Sequence, residues 1–488
     1  MTSRRGRALR LAAATAVIVA LYLPTLGAPF DFADDGNLVY PAPPMPLADR
    51  FHLYWQKVAA NYEDLGPFRP VLWAHWEIQA DALAASRVAW RVVRLVWLAL
   101  STLASLLLLE ELRIRPAAAF FTAALAAWNP YRSEIWTSLT LSEGVALPYA
   151  LGALLAALRA GRSARPFAWE LAAIAGTSLA LGCKNTFAAL VPAEWILRLD
   201  PDASGRRPGS AVRAALLAVP LLFAAAHLAV FLRGWHPGQY AIRLPGVAEL
   251  AAFAKALRGA ASLDFVGAGL VLAVVAVARN GRLARVLRDH RGASLAGAAL
   301  LAAGTGVYLP LGTVAGRYTI PAVWGVDLWI AALVSTLVTI EANRAKRLAI
   351  AALGIGLVLV AAANLGRQEK LASRHRMLWE ALHAIERSAP KDATIAWVAG
   401  VVGAEEGVHF GWHLRGRGRG NLSIAVYDAA GNLLPRRELG DARGAPILAI
   451  TGRTSPPLAG RWRKAQDFST GYRLGFRSHA CSLWERTP

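Results

Sequence analysis

Residues 4–39 read RRGRALRLAAATAVIVALYLPTLGAPFDFADDGNLV, and the order of features in them decides the fold class. Arg4, Arg5, Arg7 and Arg10 precede an apolar run over 11–26, and Asp31, Asp34 and Asp35 follow it. A basic head before an apolar run is also the layout of a secretory leader. Here the run is long, leads into Pro24 and Pro29 without a small-x-small cleavage step, and is followed by many more apolar runs. An uncleaved first membrane span is the reading that fits.

Runs able to cross about 30 Å of hydrocarbon, roughly 20 residues each, recur along the chain. The spacing predicts spans near 9–26, 90–111, 117–129, 137–158, 167–183, 186–197, 213–232, 262–278, 293–311, 319–340 and 348–364. With 56% hydrophobic and 17% charged residues among 488, the composition agrees. The fold class is therefore a polytopic α-helical membrane protein of about eleven spans. The pair meeting at Cys183, Lys184 and Asn185 leaves almost no loop, and its second member is short. A broken backbone there requires a surrounding of protein or a water-lined cavity.

Counting from a cytoplasmic N-terminus places the loops 113–115, 159–165, 198–213, 279–291 and 344–347 inside, and these are the Arg-rich ones. The loops at 129–134, Lys184 and 311–317 carry few basic residues, which is the bias the positive-inside rule requires. The net charge of +21 is thereby assigned to orientation, and no nucleic-acid partner is expected. Cys183 and Cys481 form neither a disulfide framework nor a metal cluster.

Two domains follow. Residues 1–366 form the membrane domain, with outer loops at 27–89 and 233–260. Residues 367–488 form a soluble α/β or α+β domain on the non-cytoplasmic side, periplasmic or extracellular. Leu371, Met377, Leu378, Leu382 and Ile385 recur at helical spacing, and 393–398, 422–427 and 446–451 read as strands. Arg415, Arg417 and Arg419 read most simply as a solvated loop. No repeat period appears in this tail, which excludes a tetratricopeptide array.

The candidate chemistry lies at the outer ends of the spans. Asp31, Asp34 and Asp35 are not needed for topology, although Gly36 and Asn37 would also suit a plain polar turn. On the same predicted face lie Arg69 between Phe68 and Pro70, then Arg87, Arg91 and Arg94. Arg132 with Glu134, Lys184, and Arg317 with Tyr318 join them. Any one such residue is explained by snorkelling. Together they point to a charged cavity.

The order of these features resembles the GT-C superfamily of membrane glycosyltransferases, especially its protein O-mannosyltransferase-like members and its transmembrane tetratricopeptide-type branch, here without the repeats. The resemblance covers roughly residues 9–340. The acidic pair is matched by Asp34 and Asp35 in FADDGNLV, and the aromatic-Arg-Pro step by FRPVL, 68–72. A later His-Pro step followed by Glu is matched by WNPYRSEIW, 128–136, with Asn129 in place of His. The Lys-Glu pair is matched by CKNTFAALVP, 183–192, with Asn185 in place of Glu, and the Arg-Tyr step by GRYTIPAVWG, 316–325.

The resemblance implies transfer of a sugar from a polyprenyl-phosphate-linked donor to a protein or glycan acceptor on the outer face of a cell membrane. Asp34 and Asp35 would be the catalytic carboxylates, one taking the acceptor proton and the other orienting acceptor or metal. Arg69, Lys184 and Arg317 would bind the donor phosphate, supported by Arg132, Glu134 and Tyr318. A divalent cation is compatible with paired carboxylates, but two adjacent Asp residues are not a metal motif, and none is assigned. Two other readings compete: a transporter or flippase of an anionic lipid-linked substrate, and an inactive membrane scaffold whose tail binds partners. A transporter calls for charges deep within spans and an inverted repeat. Neither is visible.

Overall fold

The computed structural model describes residues 4–32, 35, 39, 46–60, 69–83, 86–163, 166–198, scattered positions between 215 and 229, 245–309, 316–390, 392–399, 404–419, 421–434, 445–452, 455–470 and 479–487. The predicted span at 213–232 lies largely outside them, as do Asp34 and Phe68. Its helices are α1 (Arg4–Ala20), α2 (Leu47–Ala60), α3 (Pro70–Leu83), α4 (Arg87–Glu111), α5 (Pro116–Trp128), the single turn α6 (Glu134–Thr137), α7 (Ser142–Arg162), α8 (Pro166–Cys183) and α9 (Leu190–Arg198). There follow α10 (Val247–Ala260), α11 (Leu263–Arg279), α12 (Leu283–Asp289), α13 (Arg291–Tyr308), α14 (Ile320–Thr339), α15 (Arg344–Ser388) and α16 (Ala404–Gly416).

Among the described residues, five helices are long and apolar enough to cross a membrane, or six when the bent pair α10–α11 counts as one span. The helices α1 and α4 run in opposite directions. Arg7 of α1 pairs with Glu110 at the far end of α4 at 2.8 Å, whereas Arg91 near the start of α4 donates to the Pro29 carbonyl beyond the end of α1 at 2.9 Å. Glycine lets backbones meet where side chains would hold them apart. A Cβ at Gly325 of α14 would fall 2.2 Å from the Gly297 carbonyl oxygen of α13, and one at Gly356 of α15 would fall 2.6 Å from the Phe265 oxygen of α11.

Two breaks interrupt the helical layer. Between α8 and α9 the chain passes through Lys184 into a 3-10 turn, Asn185–Ala189, at the place where the sequence leaves no room for a loop. Between α10 and α11 it turns by 78° around Ser262, which has a left-handed φ of 57°. A break frees carbonyls that lipid cannot satisfy. The Asn129 amide nitrogen donates to the Gly259 and Ala260 oxygens, each at 2.9 Å, and to the Ser262 hydroxyl, while Arg132 Nε donates to Ala260 at 2.5 Å. The residue that stands in place of the family's histidine thus caps a broken helix.

The α15 helix runs without interruption for 45 residues, so the span predicted at 348–364 and the helix predicted to open the tail are one element. Asn343 starts it, its side chain accepting from Lys346 N at 2.8 Å. Beyond it lie β1 (Thr394–Val398), β2 (Ser423–Tyr427), β3 (Leu448–Thr451), β4 (Arg461–Thr470) and β5 (His479–Thr487). They form one sheet in the order β2-β1-β3-β5-β4, with β1 parallel to β2 and β3, and β5 antiparallel to β3 and β4. The three predicted strands correspond to β1, β2 and β3. The helix α16 and the β4–β5 pair were not legible, because RWRKAQDFST in β4 has no clean apolar alternation.

One apolar core joins this sheet to the membrane domain. Met377, Leu378, Leu382 and Ile385 of α15 and Phe410 and Leu414 of α16 pack on Ile395, Trp397 and Ile424. Phe32, from the acidic loop after α1, is fully buried in the same cluster, with its ring 5.4 Å from Trp379, 5.6 Å from Phe410 and 4.8 Å from His413. Arg417 and Arg419 are not a free basic patch. Arg417 pairs with Glu386 at 2.5 Å, and Arg419 donates to the Glu386 and Ala389 carbonyls at the end of α15.

Candidate functional site

A cavity of about 410 Å³ opens where the membrane domain meets the C-terminal domain. It is lined by Pro24, Thr25 and Asp31 from the first segment, Arg91 of α4, Glu134 of α6, Arg367, Arg374 and His375 of α15, and Glu406 of α16. Its elements are fixed by three contacts. Phe32 holds the acidic loop in the C-terminal core, and the Trp379 indole donates to the Phe30 carbonyl at 3.0 Å. His413 Nε2 donates to the Asp31 carbonyl at 3.1 Å.

Within the loop, Asp31 and Asp35 brace each other: Asp35 Oδ2 accepts from Asp31 N at 2.9 Å, and Asp31 Oδ1 from Asp35 N at 3.1 Å. Asp35 Oδ1 also accepts from Leu139 N at 3.2 Å, and Arg91 stands 4.0 Å from Oδ2. Asp35 is wholly buried and is not part of the cavity wall, whereas Asp31 is. Burial, and then the Asp31 carboxylate, push the Asp35 carboxyl up to about 8 against the pull of Arg91 and the two backbone donors. The structure therefore gives Asp35 a loop-holding place.

A second cluster of charge adjoins the cavity. Glu134, in its wall, accepts from Arg317 Nη1 at 2.8 Å and from Arg367 Nη2 at 3.4 Å. The Arg317 guanidinium lies 5.2 Å from the centre of the Tyr318 ring, and Lys184 Nζ lies 4.7 Å from the same ring. Lys184 is buried and pairs with the buried Glu143 at the start of α7. Tyr318 stacks on Tyr308 at 5.3 Å and 16°, and the Tyr308 hydroxyl meets Thr186. Arg69 is within electrostatic reach of Lys184 and Tyr308. Its buried Nε has no acceptor among the described residues.

Lys184 and Arg317, widely separated in sequence, thus meet at the Tyr318 ring, which stacks on Tyr308. Arg132 is elsewhere. It makes a two-pronged pair with Asp327 at 2.6 and 2.9 Å, both residues buried, and holds the α10–α11 break. Sequence reading missed Glu143, Tyr308, Arg367 and His375. Glu143 carried a signal, a carboxylate in the first turn of an apolar helix, where a charge without a partner is costly. Lys184 finds its carboxylate in Glu143, 41 positions earlier in the chain.

No protein-family model and no curated protein matches the chain. Among solved structures it is similar to ArnT from Cupriavidus metallidurans in the apo state, with a TM-score of 0.51, 12% identity and 97% of each chain covered. The same protein bound to undecaprenyl phosphate gives a TM-score of 0.50 at 12% identity, covering 98% of each chain. An oligosaccharyltransferase from Archaeoglobus fulgidus gives a TM-score of 0.45 at 14% identity, over 83% of this chain and 61% of its own. At such identity the likeness to ArnT speaks for architecture, and it extends over nearly the whole chain, including the C-terminal domain. The chain has the fold of the ArnT structure.

Proposed function

We propose that this protein transfers a sugar from a polyprenyl-phosphate-linked donor to an acceptor at the outer face of a cell membrane, with the C-terminal domain on that side. The observation that carries this reading is the meeting of Lys184 and Arg317 at the Tyr318 ring, which stacks on Tyr308, next to a cavity walled by the acidic loop. A carrier's hydrocarbon tail stays in the bilayer while its phosphosugar reaches the polar cavity. The similar ArnT structure bound to undecaprenyl phosphate supports a donor of that class.

In the proposed step, the acceptor oxygen attacks the anomeric carbon while the bond from that carbon to the carrier phosphate breaks. Asp34 takes the acceptor proton, since Asp35 is already engaged by backbone donors. The departing phosphate gains negative charge, which Arg69, Lys184 and Arg317 stabilise in a site with little water. Glu134 holds Arg317 in place, and Glu143 holds Lys184. The acceptor is a protein or glycan hydroxyl small enough at its reactive end to enter 410 Å³.

The test is transfer of radiolabelled sugar from a panel of polyprenyl-phosphate donors by membranes holding the wild type, beside an Asp34→Asn variant. Transfer by the wild type alone supports the reading. Absence of transfer across a broad donor and acceptor panel, with folded protein, overturns it in favour of a transporter or scaffold.

A further inference from the structure

At the end of the helices opposite the cavity, a second opening of about 400 Å³ lies between α1, α4 and α5. Its walls are Leu11, Ala14, Val17, Leu106, Ala117 and Phe120, and its polar residues are Arg10 and Glu110. Its α1 residues, Arg10 to Val17, precede the cavity wall at Pro24 by 7 to 14 residues, which at about 1.5 Å each sets them roughly 10–20 Å from it. It is a separate site.

Charge at its mouth is arranged rather than scattered. Glu110 accepts from Arg7 Nε at 2.8 Å and from Arg10 Nη2 at 2.6 Å, and its own side chain is only 10% exposed. Arg7 and Arg10 remain 42% and 38% exposed. A guanidinium carries five N–H donors, so the bond from Arg10 to Glu110, and the pairing of Arg7 with Glu110 and, at 3.8 Å, with Glu111, still leave donors of each fork turned outward. Glu111 faces Arg159 at 3.3 Å and Arg162 at 3.9 Å. Four guanidiniums therefore meet two carboxylates here, and Arg4, Arg5, Arg113 and Arg115 add to the same end.

We infer that this opening binds an anionic phospholipid of the leaflet opposite the cavity, its acyl chain along Leu11, Val17 and Phe120 and its phosphate at Arg7 and Arg10. Charge complementarity fixes the occupant. A zwitterionic headgroup would bring a cation to a region already rich in arginine, whereas an anionic one brings uncompensated negative charge to forks that Glu110 holds ready. Apolar walls open to the hydrocarbon favour a chain over free phosphate.

The experiment uses the full chain in detergent, titrated with phosphatidylglycerol or with phosphatidylcholine of the same acyl chains, with retained lipids counted by native mass spectrometry. The expected result is preferential retention of phosphatidylglycerol, reduced about tenfold in the Arg7→Gln, Arg10→Gln double variant. Equal retention of phosphatidylcholine overturns the proposal, as does undiminished retention of phosphatidylglycerol by the double variant. Ala117→Leu fills the apolar wall while keeping both arginines, so it decides the matter if the double variant fails to fold. Phosphatidylglycerol binding unchanged in that variant is likewise fatal to the site. None of these readouts depends on sugar transfer.

Discussion

Arg317 donates to Glu134 at 2.8 Å, joining residues 183 positions apart and linking the cavity wall to the cluster around Tyr318. Through this bond one side chain faces both a carboxylate and the proposed phosphate. A charge-assisted hydrogen bond contributes roughly 1.5–3 kcal/mol, so Arg317→Ala should weaken binding of the proposed polyprenyl-phosphate donor by roughly tenfold or more. Titration followed by tryptophan fluorescence measures this. Unchanged affinity would remove Arg317 from the donor site.

The two carboxylates of the acidic pair should separate in their effects. Asp35→Asn puts an amide donor against a backbone N–H, either that of Asp31 or that of Leu139, and should destabilise the fold by about 1–3 kcal/mol. Asp34→Asn should abolish transfer and leave the melting temperature unchanged. Full turnover in Asp34→Asn would cancel its role as the base.

Arg132 and Asp327 form a buried two-pronged pair, and removing one partner strands the other charge. Arg132→Ala should cost about 3–5 kcal/mol, and Asp327→Asn somewhat less. The Arg132→Met, Asp327→Leu double variant should recover part of that loss. Thermal unfolding in detergent checks all three, and equal melting of the single and double variants would contradict a stranded charge.

His413 links pH to the junction between the domains. Burial among Phe30, Phe32 and Trp379 lowers its imidazole from 6.5 to about 4. A lowered folded value means the unfolded chain binds the proton more readily. The stabilisation is thus complete above about 6.5 and is lost as the pH falls toward 4, by about 3 kcal/mol in all. Melting temperatures across that range should fall steeply in the wild type and less steeply in His413→Phe. Parallel curves would assign the acid sensitivity to other groups.

The amino-acid sequence was enough for the membrane class, the helical character and the resemblance in motif order. Those properties are written in local hydropathy and in side chains at the ends of apolar runs, so they need no knowledge of neighbours. It also singled out Arg69, Lys184 and Arg317 by sidedness, although sidedness cannot tell Arg317 beside Tyr318 from Arg132 buried against Asp327. Tertiary structure alone decided which carboxylate meets which cation, that Glu143 faces Lys184, and that Phe32 fixes the acidic loop in the C-terminal core. A buried charge takes whichever opposite charge the packing of distant helices brings within reach. That choice depends on contacts between segments far apart in sequence, which no local pattern records.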